Sequence, residues 1–457
     1  MLIVMSSENR VGKPTCVSLF AGAGGLDLGL EGAGFESVFV NELEETFHRT
    51  LVVNKALGSL TPEDALEYLE NELQLRCWKN LNSAEINAIK KRVLTDSRKP
   101  FLSNAYLHQG DVRELKGSFI LDKSGLKVGE LDLLAGGPPC QPFSRAGKRE
   151  TVGIADGRLF LEMTRLTTEL KPRFVMFENV KGLAQSKTDV ENYTCADCHK
   201  KGVLPLLMRD KENPKSCLCG STNISTWASQ NRGGSLEMIE EEFLRIGYSV
   251  KWQLLNSVNY GAPQLRERII LIASRDSEEF DFPIATHGKN PEQVLELFNP
   301  NELKPWKTMI SVLKEEKNWK KLNKNSVLWV KNVVRPHDEA VTWNIDRPSP
   351  TIGAHQAAKL AIAPNGVPEE QLVRQQWHVL GKRQGDTPQV DVEHTMLTDV
   401  ELQLLQTFPK YWFVVGTRME RAFQIGNAVP VALAGAVGMQ ILKAIEQKGS
   451  KVANAAY

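Results

Sequence analysis

Six short, largely apolar runs constrain this chain more than any other feature: "CVSLF" (16–20), "SVFVNE" (37–42), "LDLLA" (131–135), "FVMFEN" (174–179), "YSVKWQLLN" (248–256) and "IILIAS" (269–274). Continuous runs of this length suit strands covered on both faces, as in a parallel sheet between two layers of helices. Helical stretches separate them. The expected class is therefore α/β, with a doubly wound, mostly parallel sheet.

Two stretches break the rhythm. Residues near 55–100 are polar and helix-like, with the Thr-Pro-Glu start of "TPEDALEYLENELQLRCWKN", and read as an insertion between strands. Residues near 185–233 hold four of the seven cysteines. From 282 onward prolines, tryptophans and short polar runs replace the alternation, so a separate, smaller domain is expected over 282–393, after a first domain of 1–281. A chain of 457 residues calls for two or three domains.

Composition is that of a soluble globular protein, at 42% hydrophobic and 24% charged residues. No run approaches the roughly 18 apolar residues of a membrane span. In "MLIVMSSENRVGK" the basic residues follow the apolar run, the reverse of a secretory signal. An odd cysteine count suits a reduced compartment. The expected location is the cytoplasm, with no membrane partner. A net charge of +1 gives no global basic signature, so contact with nucleic acid would need a local patch. Residues 314–331, with six lysines, offer one, or else a solvated helix face.

The run 131–135 leads into "GGPPCQPFS" (136–144). Two glycines permit a sharp turn and the close approach of a ligand. Pro138 and Pro139 fix φ and remove two donors, so Cys140 stands in a stiff loop. A thiol framed in this way is positioned for chemistry; the plain alternative is a small buried hydrophobe. "LFAGAGGLDLG" (19–29) places Gly22, Gly24, Gly25 and Gly29 between a strand and a helix. There the backbone can approach a nucleotide-like ligand, or glycine can serve only close helix–strand packing. Asp27 stands where G-x-G-x-x-G would need its third glycine, which disfavours an NAD-dependent oxidoreductase. Glu42 ends the second strand about 20 residues on, where a carboxylate can accept ribose hydroxyls. Asp111 in "GDVREL" is placed to accept from an adenine amino group. Each acid reads equally as a helix cap or a solvent-facing turn.

In order along the chain, "LFAGAGGLDLGLEGAGF", "NELEETFHRTL", "GDVREL", "GGPPCQPFSRAG", "FENVKGL", "GAPQLRERIILIAS", "LTDVELQLLQTFP" and "QIGNAVP" resemble the DNA (cytosine-5) methyltransferases, of the bacterial modification-enzyme type. The insertions interrupt none of these motifs. The resemblance implies the S-adenosylmethionine-dependent methyltransferase fold with a target-recognition domain. It implies methyl transfer from S-adenosylmethionine to C5 of a cytosine flipped out of double-stranded DNA. Cys140 would be the nucleophile at C6, and Glu178 would bind N3 and the exocyclic amine in protonated form. Arg268 would contact the base carbonyl, with Arg266 its less certain neighbour. Phe20, Gly22, Gly24, Gly25, Leu26, Glu42, Leu43 and Asp111 would line the cofactor site, with Asn427 closing it. Residues 394–457 must then return to complete the first domain. "DRPSPTIGAHQ" (346–356) resembles the lead-in to a recognition segment at 357–393. A monomer on nucleoid DNA and a cognate restriction endonuclease are further implications.

Two alternatives stand beside this one. The same chemistry on tRNA is disfavoured by the lack of a "CFT"-type signature and by the recognition-like domain. A catalytically silent DNA-binding member is disfavoured by retention of Cys140, Glu178 and both arginines of "QLRER". Outside the resemblance, "CADC" (195–198) and "CLC" (217–219) enclose 18 residues. Cys195, Cys198, Cys217 and Cys219 suit a structural zinc stapling an insertion too small for its own core. His199 could replace one ligand, and four unrelated reduced cysteines are the plain alternative.

Overall fold

The computed structural model describes residues 12–74, 83–95, 98–139, 159–205, 215–289, 303–314, 327–330, 343–354, 360–363 and 395–454. Cys140, most of the basic stretch 314–331 and most of 357–393 lie outside them.

β1 (Thr15–Leu19) is buried at every residue. It ends one residue before the apolar run does, because Phe20 turns into the left-handed region at φ 56°. α1 (Gly25–Ala33) and β2 (Glu36–Glu42) follow. The polar insertion is helical as expected, with α2 (Glu45–Ser59) leading into α3 (Pro62–Gln74) and α4 (Ser83–Thr95). Next come β3 (Tyr106–Gln109), α5 (Gly117–Ser124), β4 (Leu133–Gly136), α6 (Leu159–Leu170) and β5 (Phe174–Val180). A single turn, α7 (Gly182–Gln185), opens the cysteine-bearing insertion. That insertion is a β-ribbon of β6 (Lys187–Cys195), β7 (Lys201–Val203) and β8 (Ile224–Arg232), an organisation the sequence left unassigned. α8 (Gly234–Arg245), β9 (Ser249–Asn256) and β10 (Glu267–Ser274) end this part of the chain.

The central sheet runs β3-β2-β1-β4-β5-β10-β9. Its first five strands are parallel, while β10 is antiparallel to both neighbours. All six apolar runs lie in it. The chain winds outward from β1 through β2 to β3, then back through β4 to β5, so the order reverses between β1 and β4. Open α/β sheets bind ligands outside the carboxyl ends of their strands at such a point. Phe20, Glu42, Asp111, Gly137 and Glu178 all fall at or just past those ends.

Apolar side chains of α5, α6 and α8, among them Ile120, Met163, Leu166 and Phe243, cover one face. The other face packs Leu26 and Leu30 of α1 against Leu433, Val437 and Ile441 near the C-terminus. After β10 come short pieces: β11 (His287–Gly288), β12 (Lys304–Pro305) and α9 (Met309–Leu313). β13 (Val327–Val330), β14 (Trp343–Asn344), β15 (Leu360–Ala363) and β16 (Thr395–Met396) form a sheet of order β14-β13-β15-β16.

The chain then returns through α10 (Asp399–Leu405), α11 (Arg418–Asn427) and α12 (Val431–Asn454). Thr50 of α2 donates to Gln424 Oε1 at 2.7 Å, tying α11 to the first domain. α12 lies so close on α1 that a Cβ on Gly29 would stand 2.4 Å from that of Ala434. Contrary to the expectation that no run approaches a membrane span, the helical segment 418–447 contains, among the described residues, one window long and apolar enough to cross a membrane. That window is mostly buried in this packing.

Candidate active site

The turn between β1 and α1 is left-handed three times over, at Phe20 (φ 56°), Gly22 (58°) and Gly24 (81°). A non-glycine residue held there is under local strain, which persists only where the surroundings enforce it. Gly22 borders open space, with no heavy atom within 4 Å of where its Cβ would be. Gly25 does the opposite: its Cβ would meet the Val429 carbonyl oxygen at 2.4 Å, so this glycine admits the returning chain. Leu26 is likewise turned into the core.

Glu42 is buried at the end of β2, yet both of its oxygens are used. Oε2 accepts from the Gly22 amide at 2.6 Å and Oε1 from the Glu44 amide at 2.9 Å. Burial pushes its carboxyl above the usual range while these amides oppose the shift. The carboxylate therefore fixes the glycine turn to the end of β2. Leu43 beside it is 53% exposed, an apolar surface without cover next to the turn. The Gly110 amide donates to the Glu42 carbonyl at 3.1 Å, which brings Asp111 alongside. Asp111 is held by the Arg113 guanidinium and amide, and the Arg113 side chain keeps its carboxyl below the ordinary range.

Glu178 in β5 and Arg268 in β10 sit diagonally across an antiparallel pair whose register opposes Glu178 to Ile270. Arg268 Nε lies 2.7 Å from Glu178 Oε1, with both side chains about nine-tenths buried. Burial pushes the Glu178 carboxyl up, and the charges of Arg268 and Arg266 pull against it. Arg266 takes a different place from Arg268. Its guanidinium donates to the carbonyls of Ile352, Gly426 and Asn427 at 3.0, 2.9 and 3.2 Å. It thereby clamps the lead-in of the small domain and the end of α11 onto the sheet. Asn427 is exposed at that helix end, its carbonyl committed to Arg266.

From β4 the chain passes directly in front of Glu178. A Cβ on Gly137 would stand 2.7 Å from Glu178 Oε2. Asn179 Nδ2 donates to the Pro138 carbonyl at 3.2 Å, pinning the start of the loop that leads to Cys140. The arrangement thus joins a buried, arginine-held carboxyl, a rigid loop entry and an open glycine turn along one edge of the sheet.

Sequence reasoning missed two features here. Asp27 is fully buried in the first turn of α1, with no ion-pair partner among the described residues, and burial pushes its carboxyl up to about 7 although the Ser18 hydroxyl opposes the shift. An acid among "GGLDLGL" signals this only once the helix is known to be covered on that side. Gln264 accepts from the Ile352 amide at 2.9 Å and donates to the Leu405 carbonyl at 3.2 Å, joining three separate segments. In "QLRER" the arginines drew the attention.

The four ribbon cysteines are brought together, all four sulfurs within 4.8 Å of one another. His199 is not part of that cluster. The insertion also has a small apolar cluster of its own, Tyr193 and Leu204 with two of the cysteines, where none was expected.

The chain matches the family described as C-5 cytosine-specific DNA methylase over residues 15–73, 83–197 and 222–443. It belongs to that family. Among its relatives, the Type II methyltransferase M.NgoMIV of Neisseria gonorrhoeae is 27% identical over 442 residues, covering 95% of this chain and 99% of that one. The Type II methyltransferase M.BspRI of Lysinibacillus sphaericus is 26% identical over 440 residues, 93% of this chain and 80% of that one. A solved methyltransferase, S. pombe Dnmt2, superposes with a TM-score of 0.51 at 13% identity, covering 95% of this chain and 99% of that one. At that identity the likeness speaks for the fold.

As a DNA cytosine-5-methyltransferase, the enzyme belongs to a class whose cofactor is S-adenosylmethionine. The match skips 198–221, which contain three of the four ribbon cysteines.

Proposed function

We propose that this methyltransferase adds Cys140 to C6 of a cytosine flipped from double-stranded DNA and methylates C5 from S-adenosylmethionine. On this reading it acts in the cytoplasm as a monomer on nucleoid DNA, as the modification enzyme of a restriction-modification system. The observation that carries the reading is the Glu178–Arg268 pair on β5 and β10, facing the entry of the Cys140 loop that leaves β4 beside the reversal point of the sheet.

The residues beside the glycine turn fit the cofactor. Gly22 leaves space, Leu43 offers an uncovered apolar surface for an adenine, and Glu42 is the carboxylate at ribose position. S-adenosylmethionine supplies a methyl group made electrophilic by its sulfonium. Cytosine C5 is too poor a nucleophile to take that group unaided, which sets the task of the protein's residues. The Cys140 thiolate forms a bond to C6, and the displaced ring electron pair makes C5 nucleophilic. Glu178, its proton favoured by burial, hydrogen-bonds N3 as charge builds there. Arg268 holds the Glu178 carboxyl in place and faces the base carbonyl. Once C5 carries the methyl group and loses its proton, the C6–S bond breaks and its electron pair returns to sulfur. Flipping the base costs a few kcal/mol, recovered in contacts with the pocket. Residues 357–393 supply contacts to base edges in the major groove.

Transfer of labelled methyl groups from S-adenosylmethionine to duplex DNA, with tRNA in parallel, tests the reading. Duplex containing 5-fluorocytosine is expected to trap the wild type covalently, since fluorine cannot leave as a proton does. Cys140→Ala is expected to form no adduct and transfer nothing. A fully active Cys140→Ala enzyme, or transfer to tRNA alone, overturns it. Bisulfite sequencing of DNA from cells expressing the enzyme gives the target.

A further inference from the structure

We infer that Cys195, Cys198, Cys217 and Cys219 bind one zinc ion as four thiolates, closing the tip of the β6–β8 ribbon. Cys195 and Cys198 come from the end of β6 and the turn after it, and the other two from a second turn before β8. Two sulfur pairs cross between the turns: Cys195 to Cys219 at 3.7 Å and Cys198 to Cys217 at 3.5 Å. With zinc–sulfur bonds of about 2.3 Å, a tetrahedron of four sulfurs has edges of about 3.8 Å. A disulfide would need about 2.05 Å. Four sulfurs drawn from two segments to the spacing of one coordination sphere are more than a packing coincidence.

The backbone is shaped around the sulfurs. In the first turn the Cys195 amide donates to the Lys200 carbonyl at 2.9 Å and the His199 amide to the Cys195 carbonyl at 3.1 Å. In the second the Cys217 amide donates to the Ser221 carbonyl at 2.8 Å and the Gly220 amide to the Cys217 carbonyl at 2.9 Å. Each turn passes through a left-handed residue straight after its second cysteine, His199 (φ 60°) and Gly220 (88°). Amides of Asp197 and Cys198 point at the Cys195 sulfur, and that of Lys200 at the Cys198 sulfur. Asp197 accepts from Ser221 Oγ at 2.5 Å and Asn223 Nδ2 at 3.2 Å, joining the two turns.

The tip also has reason to need a metal. Its buried apolar cluster is Tyr193, Cys195, Leu204 and Cys217, so two of its members are ligands. The base of the ribbon packs into the main core through Val190 and Val203, but the tip has only this small cluster to hold it. All four coordination positions are filled by the protein, which leaves none for a reactant, so the zinc is structural. Arg245 of α8 donates to the Ser216 carbonyl at 2.6 Å, and Tyr193 Oη to Glu241 at 3.0 Å, coupling the tip to the catalytic domain.

The test uses full-length enzyme purified under reducing conditions without a metal-binding tag. Elemental analysis is expected to give one zinc per chain, and four cysteines are expected to resist alkylation until a chelator is added. Growth on cobalt is expected to give the thiolate-to-metal charge-transfer and visible bands of a tetrahedral site. The Cys198→Ser/Cys219→Ser variant changes only the two exposed ligands, and its zinc is expected to fall below roughly a tenth of an equivalent. Negligible zinc in reduced, folded wild type overturns the site. So do full zinc retention in the variant and disulfides joining Cys195 to Cys219 and Cys198 to Cys217 in freshly isolated enzyme. These readouts do not depend on methyl transfer, so they stand or fall apart from the proposed reaction.

Discussion

Gly137 and Glu178 touch: a single methyl group on Gly137 would stand 2.7 Å from Glu178 Oε2. The chain that leads to Cys140 is therefore pressed against the carboxyl proposed to meet the same base. On the proposed mechanism the loop that carries the nucleophile and the Glu178 carboxyl come from adjacent strands, and the missing side chain at Gly137 lets the loop entry pass the carboxyl.

Gly137→Ala is accordingly expected to push the Glu178 carboxyl and the loop apart. A misplacement of about 1 Å at reacting groups costs about a hundredfold in rate. Single-turnover methyl transfer is expected to slow by that order, while the KM for S-adenosylmethionine changes little. An unaltered rate would mean that the loop takes up the methyl group elsewhere.

The two arginines of "QLRER" are expected to separate experimentally. Arg266 satisfies three backbone carbonyls, and lysine cannot reach all three from one ammonium. Each buried carbonyl left without a partner costs about 1–3 kcal/mol. Arg266→Lys is expected to lower Tm, with kcat lost only as far as folding is lost. Arg268→Lys keeps a positive charge near Glu178 but loses the planar fork, and is expected to lower kcat more than Tm. Thermal melts and kcat on the same preparations check both, and the reverse pattern would exchange their roles.

That division shows how far the sequence could be read. All six apolar runs became strands of the central sheet, the inner ones because such runs need cover. β9 instead lies at the sheet edge with Lys251, Trp252 and Gln253 exposed, so there the run did not mean burial on both faces. The positions at the strand ends were legible because a sheet of this topology has one edge where ligands go. Arg266 and Arg268 are two residues apart, one just before β10 and one in it, and sequence cannot say that Arg268 meets Glu178 while Arg266 clamps the returning chain. Leu26 and Gly25 looked like parts of a ligand loop, but the packing of α12, some 400 residues further on, decides their place. The ribbon was illegible as a fold, since β6 and β8 pair across a long excursion and alternate too weakly to stand out. Its cysteines were legible, because ligand spacing is a local property.

Glu42 gives a further prediction. Its carboxylate holds the Gly22 and Glu44 amides and is proposed to hold ribose hydroxyls, interactions that are the same in ground and transition states. Removing such binding raises KM without lowering kcat to match. Glu42→Ala is expected to raise the KM for S-adenosylmethionine, leaving most of kcat at saturation. An unchanged KM with a collapsed kcat would place Glu42 outside the cofactor site.

Asp27 yields the last prediction, from its burial. Burial pushes its carboxyl up to about 7, against about 3.9 in the unfolded chain. A raised folded-state pKa means that the folded protein holds the proton more tightly. The stabilisation is fully present below about pH 4, declines as pH rises, and is lost once pH passes 7. Above that point the folded state carries a buried charge that the Ser18 hydroxyl only partly offsets. Asp27→Asn keeps the shape and removes the titration. Its Tm is expected to match the wild type near pH 4.5 and to exceed it by several degrees at pH 8, the gap opening mostly between pH 5 and 7. Melting curves of both proteins across that range, without cofactor, measure it. A gap that is flat with pH would show that Asp27 does not titrate there.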